Sequence, residues 1–185
     1  MKKRKTKKIN SVFWLFLRYL ILLILGIIFT IPSALHNILY NILLKITIYP
    51  TYMLLNLFFE AILYNNLILL DLISIEIIPA CVAVSAYFLL LILNLTTPMP
   101  KKQRIPSIIF SFILLLLINI LRIIFFSFML INKLPYFNII HQLTWYVFSI
   151  ILVIGIWFLT AHIFKIKTIP IYTDILKIIR IIKKH

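Results

Sequence analysis

The stretch "SIIFSFILLLLINILRIIFFSF", Ser107 to Phe128, runs for 22 residues with a single charged side chain, Arg122. A bilayer's hydrocarbon layer needs about 20 such residues in a helix. Comparable runs recur, and the 185-residue chain is 64% hydrophobic and 12% charged, with a mean hydropathy of +1.14. A soluble domain of this length has no interior large enough to hide that much apolar surface. In lipid every backbone polar group must be satisfied internally, which leaves helices or closed barrels. Barrel strands alternate and are separated by turns; these runs do not alternate. The chain therefore reads as an all-α multi-pass membrane protein, residues 1–185 forming a single membrane domain.

The formal charge of +15 invites a nucleic-acid reading, but its distribution argues against one. Lys and Arg gather at 2–8 (KKRKTKK), at 101–104 (KKQR) and from Lys165 onward. These clusters flank apolar runs, and no aromatic-interleaved basic face accompanies them. Under the positive-inside rule they mark cytoplasmic segments. The N-terminal basic stretch and the run after it look like a signal peptide, but the run is long and has no small-residue cleavage site. It is expected to be a retained first span. One cysteine excludes an internal disulfide and a Cys-based zinc cage, so no metal and no cofactor is expected. Two glycines exclude a glycine-rich phosphate loop.

About six spans are expected: 12–31, 33–48, 50–64, 80–97, 107–127 and 139–164. The basic 98–106 loop belongs inside, and the nearly uncharged 128–138 loop outside. Both termini are then cytoplasmic. Parity requires residues 32–79 to cross twice or not at all, and Lys45 beside Pro50 suits an inner turn between two short spans. The segment "NNLILLDLISIEIIP", 65–79, alternates from Ile73 to Ile77 and is bounded by Asn65-Asn66 and Pro79. It predicts a short extended or hairpin element over the outer face. Three of the four acids, Glu60, Asp71 and Glu76, fall in this region, either as solvated loop charges or as catalytic groups. In "TDILKIIRIIKKH", Ile175, Leu176, Ile179 and Ile182 oppose Lys177, Arg180 and Lys184. Residues 168–185 thus read as a basic amphipathic tail on the inner leaflet.

Polar groups inside apolar spans are costly and invite a functional explanation. Arg122 lies about 22 Å along its helix from Ser107, near the outer edge, with Asn119 one turn earlier. His141 opens the last span, with Thr144 and Trp145 on its face. Cys81 opens the fourth span behind Pro79, a residue suited to a first helical turn. A thiol, a guanidinium and an imidazole therefore share one depth at one membrane face. Taken singly, each has a plainer role: Cys81 as packing, His141 as an interfacial anchor, Arg122 as a snorkelling cation. Together they suit nucleophilic catalysis, since a nearby cation and a helix N-terminus both favour the thiolate. His141 would carry the proton and Arg122 would stabilise the thiolate or an oxyanion. His162 lies about 31 Å further down the same helix, and neither His36 nor His185 replaces His141.

An acid-containing extended stretch, then "PAC" opening a helix, a Lys/Arg loop, "INILRI", and a histidine opening the last span together resemble the exosortase/archaeosortase family. The 41-residue spacing from Cys81 to Arg122 is similar to that family's, and the likeness covers about 45–165. The resemblance implies a multi-pass membrane cysteine protease/transpeptidase with Cys81, Arg122 and His141 as its catalytic set. It implies substrates that are secreted proteins ending in a short motif, an apolar helix and a basic tail. It also implies a thioester resolved by an acceptor amine, with a membrane lipid as one candidate acceptor. One departure stands out. The family follows its nucleophile with a small polar residue and glycine, where this chain has Val82-Ala83. The alternatives are a small transporter or channel component, with Arg122 holding an anion, and a non-catalytic membrane assembly subunit.

Overall fold

The computed structural model describes residues 34–70 and 73–166, together with a few isolated positions between 17 and 26. The expected first span (12–31) lies largely outside the described residues, and so do most of the basic tail (168–185) and Asp71. Helix α1 spans Ala34–Asn56. Strands β1 (Ala61–Tyr64), β2 (Leu67–Leu70) and β3 (Ile73–Glu76) follow. A four-residue helix α2 (Pro79–Val82) leads into α3 (Val84–Thr96). Helix α4 covers Lys101–Ile131, and the last helix comprises α5 (Phe137–Leu143), a π-helical turn (Thr144–Phe148) and α6 (Ser149–Ile163).

Among the described residues, four helical stretches are long and apolar enough to cross a membrane: Asn37–Asn56, Pro79–Thr96, Lys101–Ile131 and Phe137–Ile163. The last three coincide with the expected spans at 80–97, 107–127 and 139–164. The expected pair at 33–48 and 50–64 does not exist as two spans. One helix runs through Pro50, and its second expected partner ends in strand β1. Proline removes one backbone donor from a helix, and in apolar surroundings neighbouring hydroxyls can compensate. Pro50 leaves the carbonyl of Ile46, four residues back, without its helical donor, and beside it the buried Thr51 donates its Oγ1 hydrogen to Thr47 O at 2.7 Å. Downstream, Asn56 ends the helix, its Oδ1 accepting from Ala61 N–H at 3.1 Å. This turns the chain into the sheet instead of continuing it as a span.

The sheet is antiparallel in the order β1-β2-β3. Tyr64 faces Leu67 across a two-residue turn, where Asn65 takes φ 54°, a left-handed conformation that asparagine tolerates better than most residues. The alternation at 73–77 is thus realised as β3, and β1–β2 extend the expected hairpin backward into 61–64. Ala61, Ile68 and Leu70 turn inward and join Ile77, Val82 and Val84 against Ile48, Leu55 and Ile123. Helix α1 flanks the hairpin. Tyr40 Oη donates to Ile77 O at 3.1 Å near one end, and Asn56 holds Ala61 at the other.

At the far end of the bundle a second cluster (Tyr87, Leu90, Leu115, Val153, Ile156, Trp157) joins α3, α4 and α6. Beside it lies a buried polar knot. Ser107 Oγ donates to Asn94 Oδ1 at 2.5 Å, and Ser111 Oγ lies 3.0 Å from Thr160 Oγ1. Asn94 Nδ2 donates to Leu90 O at 2.9 Å and, more weakly, to Ser111 Oγ at 3.5 Å. Small and hydroxylated residues let helix backbones approach closely, and the shared hydrogen bonds stabilise the contact by about 0.5–2 kcal/mol. Asn94→Val keeps the volume roughly constant while leaving Ser107 without its acceptor. Its thermal unfolding midpoint in detergent is expected to fall by several degrees, and an unchanged midpoint would show that the knot adds nothing.

Candidate active site

Cys81 is placed by a helix start at Pro79 and a helix break at Ala83, four positions apart. Ile78 is extended (φ −90°, ψ 167°), Pro79 begins α2, and Ile78 O accepts from Cys81 N–H at 2.9 Å. Ala83 then adopts φ 59°, ψ 38°, in the left-handed region that costs a non-glycine residue about 1–2 kcal/mol. Helix α3 restarts from it, with Ala86 and Tyr87 N–H both donating to Ala83 O. The break interrupts the helical ladder that would otherwise take up the carbonyls of Ala80 and Cys81.

Helix α4 supplies the missing donors. Asn119 Nδ2 donates to Cys81 O at 2.7 Å. Arg122 Nη2 reaches Cys81 O at 3.3 Å and Ala80 O at 3.5 Å, while Nη1 reaches Ser149 Oγ at 3.4 Å. Ser149 in turn donates to Thr144 O at 2.9 Å, across the π turn. The guanidinium therefore grips the backbone of the turn that bears Cys81, and its charge is spread over three oxygens. The spacing of Asn119 and Arg122 on one helix face was legible in the sequence. Their shared target, a main-chain oxygen in place of the cysteine sulfur, was not. Ser149 carried no sequence signal, because a single serine in an apolar helix has no spacing or motif that sets it apart.

His141 sits on α5 among aromatic rings. It stacks on Phe137 with ring centroids 5.5 Å apart at 13°, and meets Phe126 edge-on at 5.0 Å. Trp145 closes its other side at 6.4 Å. No hydrogen bond joins the half-buried Cys81 thiol to the imidazole, yet both line one cavity of about 280 Å³. Its walls are Ser74–Ile78 from β3, Ala80 and Cys81 from α2, Arg122 to Leu130 from α4, and Phe137 to Trp145 from the last helix. All three residues expected from the sequence thus converge on this cavity.

The remaining candidates divide between this cavity and other places. Glu76 lines the same cavity, where its Oε1 accepts from Asn66 Nδ2 at 3.1 Å. Glu60 lines a different, open depression with Asn56 and Ile62. His162 lies at the end of α6, twenty-one residues beyond His141. The side chain of His36 and all of His185 lie outside the described residues. Among the described residues no group of three His, Cys, Asp or Glu side chains is arranged to hold a metal ion. No known protein family, curated protein or solved structure matches the chain.

Ala83 occupies the position where a glycine would relieve the left-handed backbone. Glycine removes that strain, partly offset by the greater freedom of the unfolded chain, about 0.5–1 kcal/mol. Ala83→Gly is therefore expected to raise the unfolding midpoint slightly, whereas Ala83→Val, β-branched at a positive φ, should lower it clearly. Equal midpoints for the two variants would contradict a strained turn at this position.

Proposed function

We propose that the protein is a membrane-embedded cysteine protease/transpeptidase that acts on C-terminal sorting signals of secreted proteins. The observation that carries this reading is the convergence of Cys81, Arg122 and His141 on one cavity, at the end of the bundle opposite the basic first turn of α4, residues 101–104. By the positive-inside rule that segment is cytoplasmic, so the cavity faces outward and the basic stretch from Lys165 lies inside. The site sits where a secreted polypeptide still held by its apolar tail would pass.

In the proposed reaction the Cys81 thiol gives its proton to His141 and Sγ attacks the scissile carbonyl carbon. An S–C bond forms, the C–N bond breaks, and His141 returns the proton to the leaving amine. The resulting thioester is attacked by an acceptor amine, a lipid headgroup amine being one candidate, or by water. The new bond to carbon releases the Cys81 sulfur, and the acceptor's proton passes back through His141. Arg122 and Asn119 keep the turn bearing Cys81 fixed while this happens, and the guanidinium beside the cavity favours negative charge on sulfur or on a tetrahedral oxygen. The bonds from Arg122 to main-chain oxygens also suit a non-catalytic assembly subunit, which is the rival reading.

Thiol chemistry separates the two. Cys81→Ala should abolish processing at near-normal protein level. Arg122→Lys substitutes a point charge for a planar fork, so it cannot hold Ala80, Cys81 and Ser149 together. It is expected to cost on the order of 10²-fold in turnover and to slow alkylation of Cys81 at neutral pH. Processing and alkylation within about twofold of wild type would remove Arg122 from the machinery; a Cys81 inert to alkylation would favour the subunit reading. Orientation has its own check. In a Cys81→Ser background, Gln103→Cys should resist an impermeant thiol reagent applied to intact cells, and rapid labelling would invert the topology.

A further inference from the structure

Five consecutive residues of the chain, Ser74, Ile75, Glu76, Ile77 and Ile78, line the cavity that holds Cys81. A strand that offers one face to a cavity contributes every second residue, because successive side chains point to opposite sides. An unbroken run means that the strand's edge, with its main-chain groups, faces the space. The ladder agrees. β3 is the last strand of the sheet, and Ile77 N–H donates to Asn66 O at 2.8 Å, in register with the Glu76–Leu67 and Ile75–Ile68 pairs. In an antiparallel pair the bonded positions alternate. Ile73, Ile75 and Ile77 thus direct their N–H and C=O groups at β2, and Ser74 and Glu76 direct theirs outward, into the cavity.

From these observations we infer that the substrate binds as an extended peptide segment that adds a fourth strand to the edge of β3, which is unpaired among the described residues. This rests on the protease reading above and names how the substrate is held. Main-chain groups of Ser74 and Glu76 bond the peptide backbone whatever its side chains, as in other cases of strand addition to a sheet edge. The opposite wall, with Phe126, Leu130, Phe137 and Trp145, takes alternate apolar side chains. The edge from Ser74 to Ile78 spans about 13 Å at about 3.3 Å per residue, room for about four substrate residues. It ends at Ala80 and Cys81, so the strand delivers its next carbonyl to the thiol. A cavity of about 280 Å³ admits a single extended chain and excludes a helix, whose diameter is about 10 Å.

Two alkylating probes test the inference on purified full-length protein: iodoacetamide, and acetyl-Val-Ala-Val-Ala chloromethyl ketone, whose methylene carbon bonds to Sγ as chloride leaves. Reagents N-methylated at one alternate set of amides should label wild-type Cys81 at least about tenfold more slowly, the equivalent of losing two main-chain hydrogen bonds. Methylation of the other set should have little effect. Ser74→Pro removes an outward N–H while leaving the β2–β3 bonds intact, a place where an edge strand accepts proline. It should slow the peptide reagent similarly and leave iodoacetamide labelling unchanged, whereas Ser74→Ala should match wild type with both. If both methylation patterns act alike while iodoacetamide labels rapidly, strand addition is wrong and the reactive thiol stands. If iodoacetamide fails to label Cys81 at neutral pH, the protease reading falls and takes this inference with it.

Discussion

A carbonyl left without a donor in hydrocarbon costs several kcal/mol, and the left-handed Ala83 takes those of Ala80 and Cys81 out of any continuous helix. Much of the site follows from meeting that cost. Asn119 and Arg122, one turn apart on α4, provide the hydrogens. Arg122 brings a charge into the bundle, which then needs further oxygens; Ser149 on the last helix accepts one of its hydrogens. Three helices are tied at one depth through a single turn of backbone. A polar cluster beside the cavity is in this way also what fixes the geometry of the turn that carries Cys81.

The opposite end of the bundle solves a related problem with neutral groups. Asn94, Ser107, Ser111 and Thr160 satisfy one another and nearby main-chain oxygens without any charge. All four are nearly or fully buried. One end is thus organised by a cation and exposed main-chain oxygens beside a cavity, the other by small hydroxyls in a closed contact. That division leaves the strained backbone where space is available and the tight packing where it is not.

The helices from Pro79 onward were legible because their apolar runs are long and bounded by proline or basic clusters. That Cys81, Arg122 and His141 meet at one cavity was legible because each is conspicuous where it occurs and all three share one depth. Residues 34–64 were not. Pro50 reads as a break in sequence, yet one helix runs through it. The four residues of β1 are as apolar as a span, and a short apolar run carries no period that distinguishes strand from helix. What decides its state is the cap from Asn56 and the turn at Asn65, both tertiary in their effect. The edge of β3 was invisible for another reason: main-chain groups leave no trace in the identity of the side chains.

The π turn at Thr144–Phe148 has an angular consequence. His141 and Ser149 are eight residues apart, and in an uninterrupted α-helix at about 100° per residue they would point about 80° away from each other. A π turn takes up roughly one additional residue, which makes the pair behave like positions seven apart, within about 20° of a common direction. One widened turn thereby aims the imidazole and the hydroxyl that meets Arg122 toward the same side of the last helix. The turn acts as a phase correction, letting two polar groups on one rod face one partner without bending the rod.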